Sequence, residues 1–248
     1  MNKSPIKRRR LALAGLSCLV GAGRVLVPAS AMLAIAGPAM AAMLETRELP
    51  LAAFDRIATD VPAQIRVVSS QSAGITMTGE KKVLDALSAK VVDGQLQLVA
   101  TGSYQTKEKL SIEIRTGPVR VLHLGGGAIV SFAAATAKGL EATLGGAAQL
   151  TLESLNLETL GLDIKGSAGV VAAGKGQSLT LKVVDAARFD GEQLPVQRAS
   201  VAVSGSANAL VRAERELRAT ADDAGTIEYL GNPELLSKTS GVGSIQKI

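Results

Sequence analysis

One pattern constrains this chain more than any other. An apolar residue runs into a tight cluster of small ones, and the cluster returns every 18 to 20 residues. It stands first as Leu124-Gly125-Gly126-Gly127-Ala128 and again as Leu144-Gly145-Gly146-Ala147-Ala148. It then recurs as Ile164-Lys165-Gly166-Ser167-Ala168, Val203-Ser204-Gly205-Ser206-Ala207 and Thr239-Ser240-Gly241-Val242-Gly243. Two degraded copies, Val183-Val184-Asp185-Ala186-Ala187 and Ala221-Asp222-Asp223-Ala224-Gly225, fill the gaps. With the third residue as marker, the steps are 20, 20, 19, 20, 18 and 18. A near-constant step of this size marks a solenoid, in which each repeat buries its apolar face only against its neighbours.

Alignment on the marker predicts what stacks. Four residues after it stand Val130, Leu150, Val170, Phe189, Ala209, Ile227 and Ile245, and two before it Leu124, Leu144, Ile164, Val183, Val203, Ala221 and Thr239. Six before the later markers stand Leu140, Leu160, Leu179, Ala199, Leu217 and Leu235. Side chains alternate faces along a strand, so these columns are expected to point inward. Gly126, Gly146, Gly166, Gly205 and Gly241 are the expected structural turn residues, because glycine tolerates positive φ and stacked corners leave little room for a Cβ. The prediction is an all-β chain: a β-solenoid of about seven coils of 18–20 residues.

Upstream the texture changes. Ala63-Gln64-Ile65-Arg66-Val67, Gly74-Ile75-Thr76-Met77-Thr78 and Leu110-Ser111-Ile112-Glu113-Ile114 alternate as half-buried strands do. Val83, Leu84 and Leu87 have helical spacing within Glu80 to Ser88, and Asp93-Gly94 sits between apolar runs as a hairpin turn. Residues 43–120 are therefore expected to form a small N-terminal β-rich cap with one short helix and the first coils, and residues 121–248 the repetitive solenoid.

Residues 1–42 read as a signal peptide. Lys3, Lys7, Arg8, Arg9 and Arg10 precede an apolar stretch broken by Arg24, and Ala39-Met40-Ala41-Ala42 is a small-x-small exit. The alternative is a retained membrane anchor. The formal charge of +5 lies in this segment; beyond it 21 basic residues face 22 acidic ones. The electrostatic footprint of a nucleic-acid partner is then missing, and a membrane is expected only during export. Cys18, the one cysteine, also lies in the leader, so disulfides and Cys-based metal or nucleophile chemistry drop out.

The order Phe54-x-x-Ile57, Val83-Leu84, Leu87 and Val92-x-Gly94-x-Leu96, followed by serial small-residue turns, carries a resemblance. So do Gly166-Ser167-Ala168-Gly169, Ser204-Gly205-Ser206-Ala207, Ser240-Gly241-Val242-Gly243 and the late Ile227-Glu228-Tyr229-x-Gly231-x-Pro233. Over residues 50 to 248 the chain resembles the bacterial "putative auto-transporter adhesin, head GIN domain" family. The resemblance implies an exported β-solenoid with an adhesin-like role and no catalytic residues to carry over.

The residues themselves offer little chemistry. His123, the only histidine, heads an outward column with Thr143, Asp163, Lys182, Ala202, Thr220 and Lys238. Asp163 should lie two strand spacings from it, roughly 10 Å, too far for a dyad or a shared metal. Asp222-Asp223 carries oxygens, yet calcium takes 6–8 ligands, and a polar turn is the expected role. Asp185, Arg188 and Asp190 read as a surface charge cluster. No cofactor, metal or catalytic residue is expected. The expected function is an exported binding or structural module of the periplasm or cell surface, with a surface, glycan or envelope-protein partner. The alternatives are a polysaccharide-acting enzyme on a β-helix scaffold and a periplasmic scaffold without external ligand.

Overall fold

The structure, a computed structural model, describes residues 44–102, 109–133 and 138–248; the leader reading for 1–42, with Cys18 and Arg24, lies outside them. The first part of the chain supplies β1 (Leu44–Pro50), β2 (Arg56–Thr59), β3 (Gln64–Ser69) and β4 (Gly74–Glu80). The single helix α1 (Lys81–Asp85) leads into the hairpin β5 (Leu87–Val92) and β6 (Gln95–Ala100), and β7 (Ser111–Thr116) follows. The repeats then supply β8 (Val121–Leu124), β9 (Ile129–Ala133) and β10 (Gly139–Leu144). Four long strands come next: β11 (Gln149–Ile164), β12 (Gly169–Val183), β13 (Arg188–Val203) and β14 (Asn208–Ala221). The series closes with β15 (Thr226–Leu230), β16 (Glu234–Thr239) and β17 (Ser244–Lys247).

This is an all-β solenoid of about six turns with one short helix. Seven small-residue corners bound six full repeats, which is why the count of corners exceeds the count of turns. Every ladder from β8 to β17 is parallel, and the register joins the predicted columns. Val130, Leu150, Val170, Phe189, Ala209, Ile227 and Ile245 are successive partners. So are Leu124, Leu144, Ile164, Val183, Val203, Ala221 and Thr239. The third column, Leu140 through Leu217 to Leu235, is likewise continuous. Most of these side chains are buried, and each large aliphatic contributes about 1.5–3 kcal/mol of burial. The last strands are the exception: Leu235 is 38% and Leu236 66% exposed.

A long strand bends where its alternation breaks. In β11 two adjacent exposed residues interrupt the pattern at Glu153-Ser154 and again at Glu158-Thr159. Ser154 takes φ 53° there. On the next coil Gly174, at φ 135°, lets the β12 backbone pass against Leu155, where a Cβ would collide with the main chain. The β11 repeat thus has two wide bends besides its tight corner.

The first coil comes earlier in the chain than the glycine-rich corners. β2 and β3 run parallel to β8 and β9, with Ile57 opposite Leu122 and Ile65 opposite Val130. On their other side lie β6 and β7, also parallel to β2 and β3. The stack is therefore entered between two later layers, not at its tip. The corner of this coil, at Asp60, carries no small-residue cluster; Val61 N–H donates to Thr59 Oγ1 at 3.1 Å instead.

Antiparallel strands finish the end of the stack: β4 on β7, β1 on β4, and β5 on β6. Val83 and Leu84 of α1 are buried among them. The β5–β6 turn has Asp93 at φ 49° and Gly94 at φ 73°, the two positive angles that a two-residue hairpin loop of this hand requires. Among the described residues the two buried polar ones, Thr59 and Thr116, are held: Thr116 Oγ1 donates to the Phe54 carbonyl at 3.1 Å.

Candidate functional site

The corners are built on one repeated bond. Ala147 N–H donates to Gly126 C=O at 2.7 Å, Ser167 to Gly146 at 2.8 Å and Ala186 to Gly166 at 2.9 Å. Ser206 donates to Asp185 at 2.7 Å, Ala224 to Gly205 at 2.9 Å and Val242 to Asp223 at 2.7 Å. Each marker carbonyl therefore points up the stack at the next corner. Gly126, Gly146, Gly166, Gly205 and Gly241 have φ of 58°, 66°, 75°, 74° and 63°. A Cβ on Gly166 would sit 2.9 Å from the Gly146 carbonyl oxygen, so both the backbone angle and the close approach favour glycine.

The two corners without glycine at the marker position are not worn-down copies. Asp185 and Asp223 hold φ of 68° and 57°, a region that Asp tolerates better than most residues. The Asp185 carboxylate accepts from Gly166 N–H at 3.0 Å, and that of Asp223 from Gly205 N–H at 3.3 Å. Asp222 accepts from Ser240 Oγ at 2.6 Å. The Asp222-Asp223 carboxylates are thus engaged in holding adjacent corners together. Among the described residues, no group of three or more His, Asp or Glu is spaced to hold a metal ion.

His123 is exposed, flanked in register by Ala58 and Thr143, and Asp163 stands one strand further. Asp163 Oδ2 is taken by Lys165 Nζ at 3.0 Å. The structure does not bring His123 and a carboxylate together. Asp190 accepts from Glu192 N–H at 3.1 Å, and it lines with Arg188, Asn208 and Glu228 a shallow depression of about 240 Å³.

What the molecule offers a partner is outer surface. On the face after the corner, Ser131, Thr151, Val171, Asp190, Leu210, Glu228 and Gln246 follow one another in register. The face before it carries the His123-to-Lys238 column. Among the described residues neither face carries an exposed aromatic platform: Phe54, Phe132 and Phe189 are buried, and Tyr229 is half-buried against the core. The exposed groups on these faces are polar, charged and aliphatic side chains.

Two larger concavities interrupt these faces. One, of about 940 Å³, lies where the cap meets the coils, between Phe54, Ser69, Gln71, Gly94 and Pro118. Asp55 at its rim is already paired, accepting from Arg120 Nε at 2.7 Å. The other, of about 420 Å³, is lined by Lys138, Asn156, Glu158, Lys175, Gln177 and Gln197 at the last bend before the inward leucine column. Lys138, Glu158, Gln177 and Gln197 follow the same 20, 19 and 20 steps as the corners. The period could have found this column, had it been applied to polar positions as well as apolar ones.

The cap carries the strongest local electrostatics. Arg47 bridges Asp85 and Glu45. The hydrogen bond from Arg47 holds the Asp85 carboxyl below the usual carboxylate range, and the Asp85 hydrogen bond raises the Arg47 guanidinium in turn. Both groups are structural neighbours of α1 and lie away from the repeat faces.

No curated protein matches the chain in sequence. Solved structures do match in fold. A "putative adhesin" from Bacteroides fragilis superposes with a TM-score of 0.73 at 20% identity, covering 83% of this chain and 97% of its own. A "putative lipid binding protein" from Parabacteroides distasonis gives 0.69 at 18% identity, covering 83% and 96%. A "putative adhesin" from Parabacteroides merdae gives 0.67 at 16% identity, with the same coverage of 83% and 96%. At such identities the likeness is one of fold. Sequence carries the closer assignment: the profile of the "putative auto-transporter adhesin, head GIN domain" family matches residues 53–233, from the first coil through the Gly231-x-Pro233 signature, and the chain belongs to that family.

Proposed function

We propose that this protein is an exported, non-catalytic, adhesin-like binding or structural module of the bacterial cell envelope or surface. The observation that carries the reading is the stack of outward columns in register, which spreads polar and charged side chains along the solenoid instead of gathering them into a catalytic constellation. Family membership and adhesin-named neighbours of the same fold support it. The basic, apolar, small-residue order of residues 1–42 supports export. In this reading the partner is a surface, a glycan or an envelope protein, and affinity accumulates over many weak contacts.

Protein recovered from the envelope should begin near Ala42, and protease shaving of intact cells should remove it if it is displayed outside. Purified protein should adhere to cells or immobilised glycans and release no reducing ends or unsaturated sugars. His123→Ala should leave that adhesion intact. Turnover that disappears with His123→Ala would replace this function with an enzymatic one.

A further inference from the structure

We propose that the groove between Lys138, Asn156, Glu158, Lys175, Gln177 and Gln197 is a subsite for a carboxylate-bearing sugar residue of an acidic glycan. The inference rests on the binding-module reading and names the ligand class for it.

The groove arises from register. Asn156 and Lys175 are ladder partners in β11 and β12, while Glu158 N–H donates to the Lys138 carbonyl at 2.8 Å. Four successive coils therefore contribute to one concavity of about 420 Å³, within the size range of small-ligand sites. Its polar side chains are unclaimed: among the described residues, none of the six has a side-chain hydrogen bond or ion pair. Lys138 and Glu158 occupy adjacent coils with opposite charge and make no ion pair within 4.0 Å. Lys175 stands two coils from Lys138, roughly 10 Å along the stack.

The donor set defines the ligand. Two ammonium groups against one carboxylate leave a net positive groove that favours an anion. Three carboxamides and the Glu158 carboxylate supply donors and acceptors for flanking hydroxyls. Among the described residues no aromatic side chain lines the groove, so a neutral sugar would lack a stacking surface there. Exposed charge pairs are individually weak, so one subsite is expected to bind with Kd on the order of 1 mM and to weaken with salt. A polymer could engage neighbouring copies and gain avidity.

The test is titration of the full chain with trigalacturonate, sialyllactose and maltotriose, followed by ligand-observed NMR at low and at raised salt. Either acidic sugar should bind while maltotriose does not, and the two acidic arms separate a uronate source from a sialic acid source. Lys138→Ala combined with Lys175→Ala should weaken binding at least about tenfold. Lys82→Ala combined with Lys90→Ala, exposed lysines of the cap, should leave it unchanged. All four positions are solvent-facing, and matching melting temperatures will confirm folding. Equal binding of acidic and neutral sugars, or equal loss from both lysine pairs, overturns the subsite. If no acidic sugar binds but the chain still adheres to cells, the subsite falls and the binding module stands. If adhesion is absent as well, both fall.

Discussion

The cap and the repeat stack reach order by different physics. In the cap, strands pair antiparallel, a short helix plugs the end, and charges are matched locally. Of the ten ion pairs among the described residues, eight lie between residues 45 and 120. In the stack, two ion pairs serve some 128 residues, and the organising contact is a backbone carbonyl aimed at the next corner. A parallel solenoid must turn at the same height in every coil, so its weak point is backbone geometry. The cap turns only where it chooses, so its weak point is side-chain packing. Outer positions of the stack are thereby largely released from structural duty.

The sharpest way to break this contrast is at a corner. Gly126→Val puts a β-branched side chain at φ 58° against the Asp60 backbone. It should cost more than about 3 kcal/mol, since strain and overlap add. Gly145→Ala, in the next corner of the stack with nothing within 4 Å of its Cβ position, should change stability by less than about 0.5 kcal/mol. Similar losses for the two in a denaturant melt would refute the corner account.

Leu84→Ala addresses the cap. Its side chain is 1% exposed, and truncation should cost about 2–3 kcal/mol by ordinary cavity formation. In hydrogen exchange, amides of β1, β4 and β5 should lose protection first while those of β12 and β13 keep theirs, as nearest-neighbour coupling requires. Uniform loss along the chain would show that cap and stack are one cooperative unit.

A smaller effect separates glycine corners from aspartate ones. Asp185→Ala loses both the tolerance of positive φ and the bond to Gly166 N–H, and should cost about 1–2 kcal/mol. Asp185→Asn keeps a side-chain acceptor and the tolerance, so it should lose distinctly less. Equal costs would mean that charge, not geometry, holds this corner.

Least of all is expected from the cap's charges. Arg47 lowers the Asp85 carboxyl below its unfolded value of about 3.9, so the stabilisation is fully present above that pH. It is lost as pH falls through the lower folded value. An acid titration of stability should therefore steepen slightly below about pH 4, and Arg47→Ala should flatten that step. A step unchanged in Arg47→Ala would assign it to other carboxylates.

The sequence by itself determined the repeat, its register and the identity of the inward columns. A period of 18–20 residues forces like positions above one another, so Leu150 meets Val170 whatever the rest of the chain does. It also specified the Asp93-Gly94 hairpin and the short helix, because those depend on local backbone preferences. Only the tertiary structure decided that the chain enters the stack between two later layers. The β2–β8 and β2–β6 pairings are long-range, and no local pattern around Asp60 announces them. Only it showed Asp185 and Asp223 to be working corners, since their carboxylates answer N–H groups 19 and 18 residues away. The groove of Lys138 and Lys175 is a mixed case. The period alone aligns Lys138, Glu158, Gln177 and Gln197, while the stacking of four coils at a bend is what makes them line one concavity.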